Sequence, residues 1–182
     1  MKSEQPDIPG LLIIQPDVFY DARGYFFESY NKDKFIQIGI NAEFVQDNQS
    51  LSAKGILRGL HFQNPPFAQG KLLSVIKGSV LDVAVDIRKN SPSYGKYFSL
   101  ILSGENKTMF WIPSGFAHGF LSLEDNTIFS YKCTLTYNKK SEGSIRWNDP
   151  DLNIDWKIKD PLASEKDQNA PFFKDLNTKF FI

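Results

Sequence analysis

Apolar and polar positions alternate with a period of two along most of this chain. The clearest run is Val80–Arg88, where Leu81, Val83, Val85 and Ile87 fall on one face and Asp82, Ala84 and Asp86 on the other. That pattern predicts a half-buried strand. Two same-face carboxylates are solvated in such a strand, unless the face lines a barrel lumen, where each needs a partner. Strands of similar texture are predicted at Leu11–Tyr20, Tyr25–Tyr30, Ala42–Asp47, Gly55–Gln63, Lys71–Lys77, Lys96–Leu102, Thr108–Ile112, His118–Leu123 and Thr127–Thr136. Between them stand turn formers such as Asp21-Ala22-Arg23-Gly24, Asn64-Pro65-Pro66, Asn90-Ser91-Pro92 and Pro113-Ser114-Gly115. Short strands at this spacing indicate a sandwich or barrel. Lys32–Ile38, behind an Asn31 cap, reads as a short helix, and the segment from Lys157 onward as an extended tail on the barrel.

Composition supports a packed core: hydrophobic residues make up 41% of the chain and aromatics 14%, with sixteen Phe and seven Tyr. Lys plus Arg number 21 and Asp plus Glu number 21, so no bulk field draws the protein to nucleic acid or to an anionic membrane. The one cysteine, Cys133, excludes an intrachain disulfide framework and fits a reducing compartment. The start lacks the pattern of a secretory leader, and no apolar run reaches the ~18 residues of a membrane span. The expectation is one cytoplasmic domain over residues 1–182.

Histidine is the scarce chemical residue. His61 in RGLHFQ and His118 in PSGFAHGF stand far apart, without a second Cys or a His-x-His pair, so no metal site is expected. A lone strand histidine is ordinarily a hydrogen-bonded core residue, but His61 lies among Arg58, Gln63 and Lys71, where neighbouring strands concentrate polar groups. Strict alternation puts Arg58 and His61 on opposite faces; a bulge at Gly59 would bring them together. Lys71 shares a face with Leu73 and Val75, and belongs at the rim or against an anion. Phe129, Tyr131, Cys133, Leu135 and Tyr137 form an in-phase stripe that reads as core. Arg23 reads as a turn residue, and Gln46-Asp47-Asn48 as a strand end. No dinucleotide-binding glycine motif, P-loop or nucleophile elbow is present. The residues alone stop at a small β-barrel with a polar pocket of His, Lys, Arg and Tyr.

RGLHFQ, QGKLLSVIKGSVLDVAVDIRKNSPSYGK and IPSGFAHGF go further, because in this order they resemble the dTDP-4-dehydrorhamnose 3,5-epimerases of dTDP-L-rhamnose biosynthesis. The resemblance extends from about Leu11 to about Pro171. It implies an all-β, cupin-type jelly-roll barrel with short peripheral helices, a homodimer, a dTDP-sugar substrate and no cofactor. By the same resemblance His61 is the proton-abstracting base, Asp167 in SEKDQNAP orients it, and Tyr131 is the proton donor. Arg58 and Lys71 lie near the sugar ketone. Substrate contacts fall on Arg23, Glu28, Gln46, Asn48, His118, Glu142 and Lys166, and Tyr137 stacks on thymine. Thr136 departs from the aromatic often found just before that tyrosine.

The implied reaction suits these groups. C3 and C5 flank the C4 ketone of a 4-keto-6-deoxy sugar, so removing either proton gives an enolate. Inversion then needs a base on one face of the ring and an acid on the other. Imidazole, with an ordinary pKa near 6.5, suits abstraction; a phenol, near 10, stays protonated to donate. A cation near the C4 oxygen stabilises the enolate. A single-site epimerase, a ketoisomerase and a non-catalytic sugar-binding barrel remain alternatives. A metal-dependent oxygenase lacks the ligands.

Overall fold

The computed structural model describes residues 1–181. Its strands are, in chain order, β1 Lys2–Glu4, β2 Leu12–Gln15, β3 Phe19–Asp21, β4 Gly24–Phe26, β5 Gln46–Ser52, β6 Ile56–Gln63 and β7 Lys71–Lys77. There follow β8 Ser79–Asp86, β9 Tyr97–Ser103, β10 Met109–Ile112, β11 Phe116–Ser122, β12 Thr127–Cys133, β13 Glu142–Ser144 and β14 Leu162–Ala163. Helix α1 spans Lys32–Gln37 and α2 Glu165–Gln168. One sheet runs β1-β2-β10-β7-β12-β5; the other runs β13-β6-β11-β8-β9, with β14 alongside β6, and β3–β4 is a separate hairpin. Among the described residues no helix is long and apolar enough to cross a membrane.

The two sheets enclose a lumen filled by Leu73 and Val75 of β7, Val80 and Ala84 of β8, Phe110 of β10, Phe120 of β11 and Phe129 of β12. A second core lies outside the β6-β11-β8 sheet, where Leu57, Leu60, Leu81, Val83 and Val85 pack beneath Ile145, Leu152 and Trp156 from the C-terminal part of the chain. Strand β8 is therefore buried on both faces, not one as its alternation implies. Ile145, Leu152 and Trp156 cover the apolar face, the facing sheet covers the Asp82–Ala84 face that the pattern assigns to solvent, and both carboxylates of β8 find donors within the chain. Asp86 accepts from Arg88 Nη2 at 2.7 Å, Ser91 Oγ at 2.6 Å and Ser93 Oγ at 2.6 Å. Asp82 accepts from His118.

Most expected strands shift by one to three residues at an end, β12 stopping at Cys133 instead of Thr136, and three change more. The run from Leu11 to Tyr20 breaks at Pro16 into β2 and the exposed β3. The run from Tyr25 ends at Phe26. Gln46, Asp47 and Asn48 open a strand instead of closing one, because β5 pairs with β12 along its whole length, from Gln46↔Cys133 to Ser52↔Thr127. Phe44, ahead of it, packs edge-on against Tyr30 and Trp111 in a third core beside α1. Strands β1, β13 and β14 and helix α2 are too short to carry a readable period. Helix α1 forms where the cap places it: Asn31 accepts from Lys34 N at 3.3 Å.

Strand β6 carries the bulge. Its pairing with β11 aligns His61 with His118 but Arg58 with Phe120, so Gly59 and Leu60 of β6 stand opposite Gly119 alone. Gly59 has φ +141°, and the peptide that follows it is cis. The extra residue puts Arg58 and His61 on the same side while Leu57, Leu60 and Phe62 pack into the outer core. A Cβ on Gly59 would lie 2.5 Å from Gly119 Cα, an approach no side chain tolerates. Gly59→Ala should therefore lower stability by about 2–4 kcal/mol, read as a fall in the urea midpoint. An unchanged midpoint would mean that β6 does not run this close to β11.

Candidate functional site

A 540 Å³ cavity opens at one end of the lumen, lined by Asn48, Arg58, His61, Lys71, His118, Tyr131, Lys166 and Asp167. It continues into a 320 Å³ cleft that shares Asn48, His61, Lys71 and Tyr131 and adds Gln46, Tyr137 and Glu142. The walls come from both sheets: His61 and Arg58 stand on β6 and His118 on β11, whereas Asn48, Lys71 and Tyr131 stand on β5, β7 and β12 of the facing sheet.

A short contact in the cavity joins His61 Nε2 to Asp167 Oδ1 at 2.6 Å. The tail delivers Asp167. β14 pairs in parallel with β6, Ala163 beside Leu57, and Ser164 caps α2 by accepting from Asp167 N at 3.2 Å. The carboxylate then reaches β6, where Oδ2 accepts from Gly59 N at 3.4 Å. Burial by itself would raise the Asp167 pKa, but the hydrogen bond and charge of His61, with the Gly59 amide and Ser164, hold it below the ordinary carboxylate value. An ionised carboxylate can only accept, so Nε2 carries the ring hydrogen and Nδ1 remains the basic nitrogen.

Opposite His61, the Lys71 ammonium lies 6.0 Å from the centroid of the Tyr131 ring. Burial lowers the Lys71 pKa, while Cys133, Asp82 and Glu142 oppose the shift. Burial also raises the Tyr131 hydroxyl, which keeps it a proton carrier into the alkaline range. Arg58 is held at the rim by Ser52 Oγ at 3.3 Å. In the adjoining cleft Lys166 pairs with Glu142 at 2.6 Å, and Glu142 accepts from the Tyr137 hydroxyl at 3.2 Å. Gln46 accepts from Tyr137 N at 2.8 Å and donates to Asn48 at 2.9 Å. The Tyr137 ring stays 55% exposed, a flat apolar face at the mouth and not a core member.

Two expected residues lie elsewhere. Arg23, at the tip of the β3–β4 hairpin, pairs with Asp21 at 2.5 Å and is 90% exposed. Glu28 pairs with Lys34 and accepts from Asn31 at 3.0 Å. Neither borders the cavity within this chain. Asp82, conversely, reaches the lumen without having been singled out as a site residue; its only sequence signal was its phase in the Val80–Arg88 alternation. Among the described residues no three His, Cys, Asp or Glu side chains cluster as metal ligands.

A protein-family model described as dTDP-4-dehydrorhamnose 3,5-epimerase matches residues 5–175. The chain belongs to this family. It is 52% identical over 177 residues to the dTDP-4-dehydrorhamnose 3,5-epimerase of Shigella flexneri, covering 97% of each chain. The crystal structure of the enzyme of that name from Elizabethkingia anophelis superposes with a TM-score of 0.93 at 54% identity, covering 97% of this chain and 98% of that one. The dTDP-6-deoxy-D-glucose-3,5-epimerase of Legionella pneumophila, solved in complex with dTDP-4-keto-L-rhamnose, superposes with a TM-score of 0.93 at 47% identity, covering 97% and 94%. The two facing sheets are thus the family's cupin-type jelly roll, and members of the family are isomerases.

The lowered Asp167 pKa has a stability consequence. A carboxylate whose folded pKa lies below its unfolded value stabilises the fold above the unfolded value of about 3.8, and the effect is lost as pH falls through the folded value. Asp167→Asn should cost about 1–3 kcal/mol at pH 7 and progressively less below pH ~4, measured by urea unfolding at both pH values. A pH-independent difference would show that the carboxylate's charge is immaterial to the fold.

Proposed function

We propose that this protein inverts C3 and C5 of dTDP-4-dehydro-6-deoxy-D-glucose to give dTDP-4-dehydro-L-rhamnose, by proton transfers through enolates and without a cofactor. The observation that carries the reading is the placement of an imidazole–carboxylate pair on one sheet and a phenol with an ammonium on the facing sheet. A sugar ring lying between them would meet a base on one side and an acid on the other. His61 Nδ1 takes the proton alpha to the ketone, and Asp167 holds the ring and stabilises the imidazolium. The C4 oxygen gains charge as the enolate forms, and Lys71, with Arg58 near it, offsets that charge. Oxyanion stabilisation of this kind is worth on the order of ~3 kcal/mol. The Tyr131 hydroxyl returns a proton from the opposite side.

The nucleotide half of the substrate fits the adjoining cleft. Tyr137 offers its exposed face for stacking on thymine, Gln46 and Asn48 supply amide groups, and Lys166 supplies positive charge for the diphosphate. We further propose a homodimer in which the β3–β4 hairpin docks on a second copy and brings Arg23 and Glu28 to the partner's site. The hairpin supports this reading by exposing Phe19, Tyr20, Tyr25 and Phe26 together, each more than half uncovered.

His61→Ala is expected to reduce both epimerisation and deuterium wash-in at C3 and C5 by at least ~100-fold, followed by NMR of the substrate in deuterated buffer. Tyr131→Phe should retain residual exchange while yielding less inverted product, because the enolate still forms against Lys71. Equal loss of exchange and inversion in Tyr131→Phe would remove the two-face assignment, and labelling at one carbon only in the unmodified enzyme would reduce the activity to a single-site epimerase. Sedimentation at micromolar concentration should give a dimer; a fully active monomer would refute the shared site.

A further inference from the structure

Asp82 is fully buried and has no part in the steps above. It stands on β8 between Phe120 of β11 and Leu100 of β9, in phase with the lumen residues Val80 and Ala84. Oδ2 accepts from His118 Nε2 at 2.9 Å, whereas Oδ1 has no hydrogen-bond partner among the described residues. A carboxylate so placed is costly unless positive charge faces it. Lys71, on β7 of the facing sheet, borders the same cavity as His118, the hydrogen-bond partner of Asp82. The other titratable groups around Lys71 are His61 on β6, His118 on β11, Tyr131 and Cys133 on β12 and Glu142 on β13.

We propose that Asp82 is a positioning residue of the active site: it holds His118 with the hydrogen on Nε2, leaving Nδ1 as that ring's acceptor, and it is the buried counter-charge that keeps Lys71 an ammonium. The second half rests on the epimerase reading; the first does not. The two histidines of the barrel thus differ in setting. The His61 pair is open to the cavity, its imidazole 32% exposed, while the His118–Asp82 pair is sealed, at 7% and 0%. Burial lowers the His118 pKa, and Asp82 only partly offsets it, so that ring stays neutral where a proton-transfer base would need to charge.

With only two histidines in the chain, ring-nitrogen NMR resolves both. In the unmodified protein at pH 7, His118 should be neutral with its hydrogen on Nε2. Asp82→Asn keeps an acceptor for His118 and removes only the charge. It should move the basic limb of the kcat/KM pH profile down by about 0.5 unit or more. The sign follows because the reaction uses the ammonium, which is lost as pH rises through a pKa that the missing negative charge lowers further. Asp82→Glu should restore the limb. A hydrogen on His118 Nδ1 in the unmodified protein, or an unshifted limb in Asp82→Asn, would overturn the proposal. If Asp82→Asn does not fold, the tautomer in the unmodified protein still decides the first half. An Nε2–H tautomer in a protein that moves no substrate proton would uphold the His118–Asp82 pair and discard the epimerase reading.

Discussion

Where β6 passes β11, the backbones of Gly59 and Gly119 come too close for a side chain on either strand. Much of the site depends on that approach. The bulge it permits inserts one residue into β6, so that Arg58 and His61 share the cavity side while Leu57, Leu60 and Phe62 stay in the outer core. Without the insertion, period-two geometry would send one of the two polar side chains into the apolar cluster beneath Trp156. The Gly59 amide, freed from regular pairing, is instead one of the donors to Asp167. One backbone irregularity therefore positions the base, the neighbouring cation and the carboxylate that orients the base.

The C-terminal part of the chain has two structural tasks. It covers the outer face of the β6-β11-β8 sheet with Ile145, Leu152 and Trp156, which turns a half-buried sheet into one buried on both sides. It also adds β14 to β6 and ends in the turn of helix that presents Asp167. A carboxylate 106 residues from its histidine is thereby held as firmly as the strand it rests on. Because one stretch of chain both covers the core and presents Asp167, loss of the C-terminal part would disarm the site and uncover the core together.

Buried titratable groups concentrate at the cavity and just beneath it. Lys71, Asp82, His118 and Asp167 are set in or beside apolar surroundings, where each costs free energy unless the others answer it. Satisfying them locally leaves few free groups to solvate a substrate at random and fixes the directions in which protons can move. The sealed His118–Asp82 pair and the open His61–Asp167 pair use the same two residue types for different ends, and solvent access separates them.

Much of this was legible in the chain itself. Alternation placed most of the long strands, Asn31 marked its helix, and a glycine between Arg58 and His61 signalled a bulge, because these features depend on neighbours in sequence. The motifs around His61, Lys71 and His118 carried the family resemblance. What alternation could not convey was which faces meet. Asp82 and Asp86 look solvated until the barrel closes over their face, and Gln46–Asn48 look like a strand end until β12 supplies a partner for every residue of β5. Arg23 and Glu28 lie away from the cavity because one sits at the tip of the β3–β4 hairpin, paired with Asp21, and the other beside α1, paired with Lys34. Local pattern encodes the elements, since propensity and pleat act over a few residues. The union of His61 with Asp167, and of His118 with Asp82, is decided by long-range strand pairing alone, since only closure of the barrel brings groups so distant in sequence within hydrogen-bond reach.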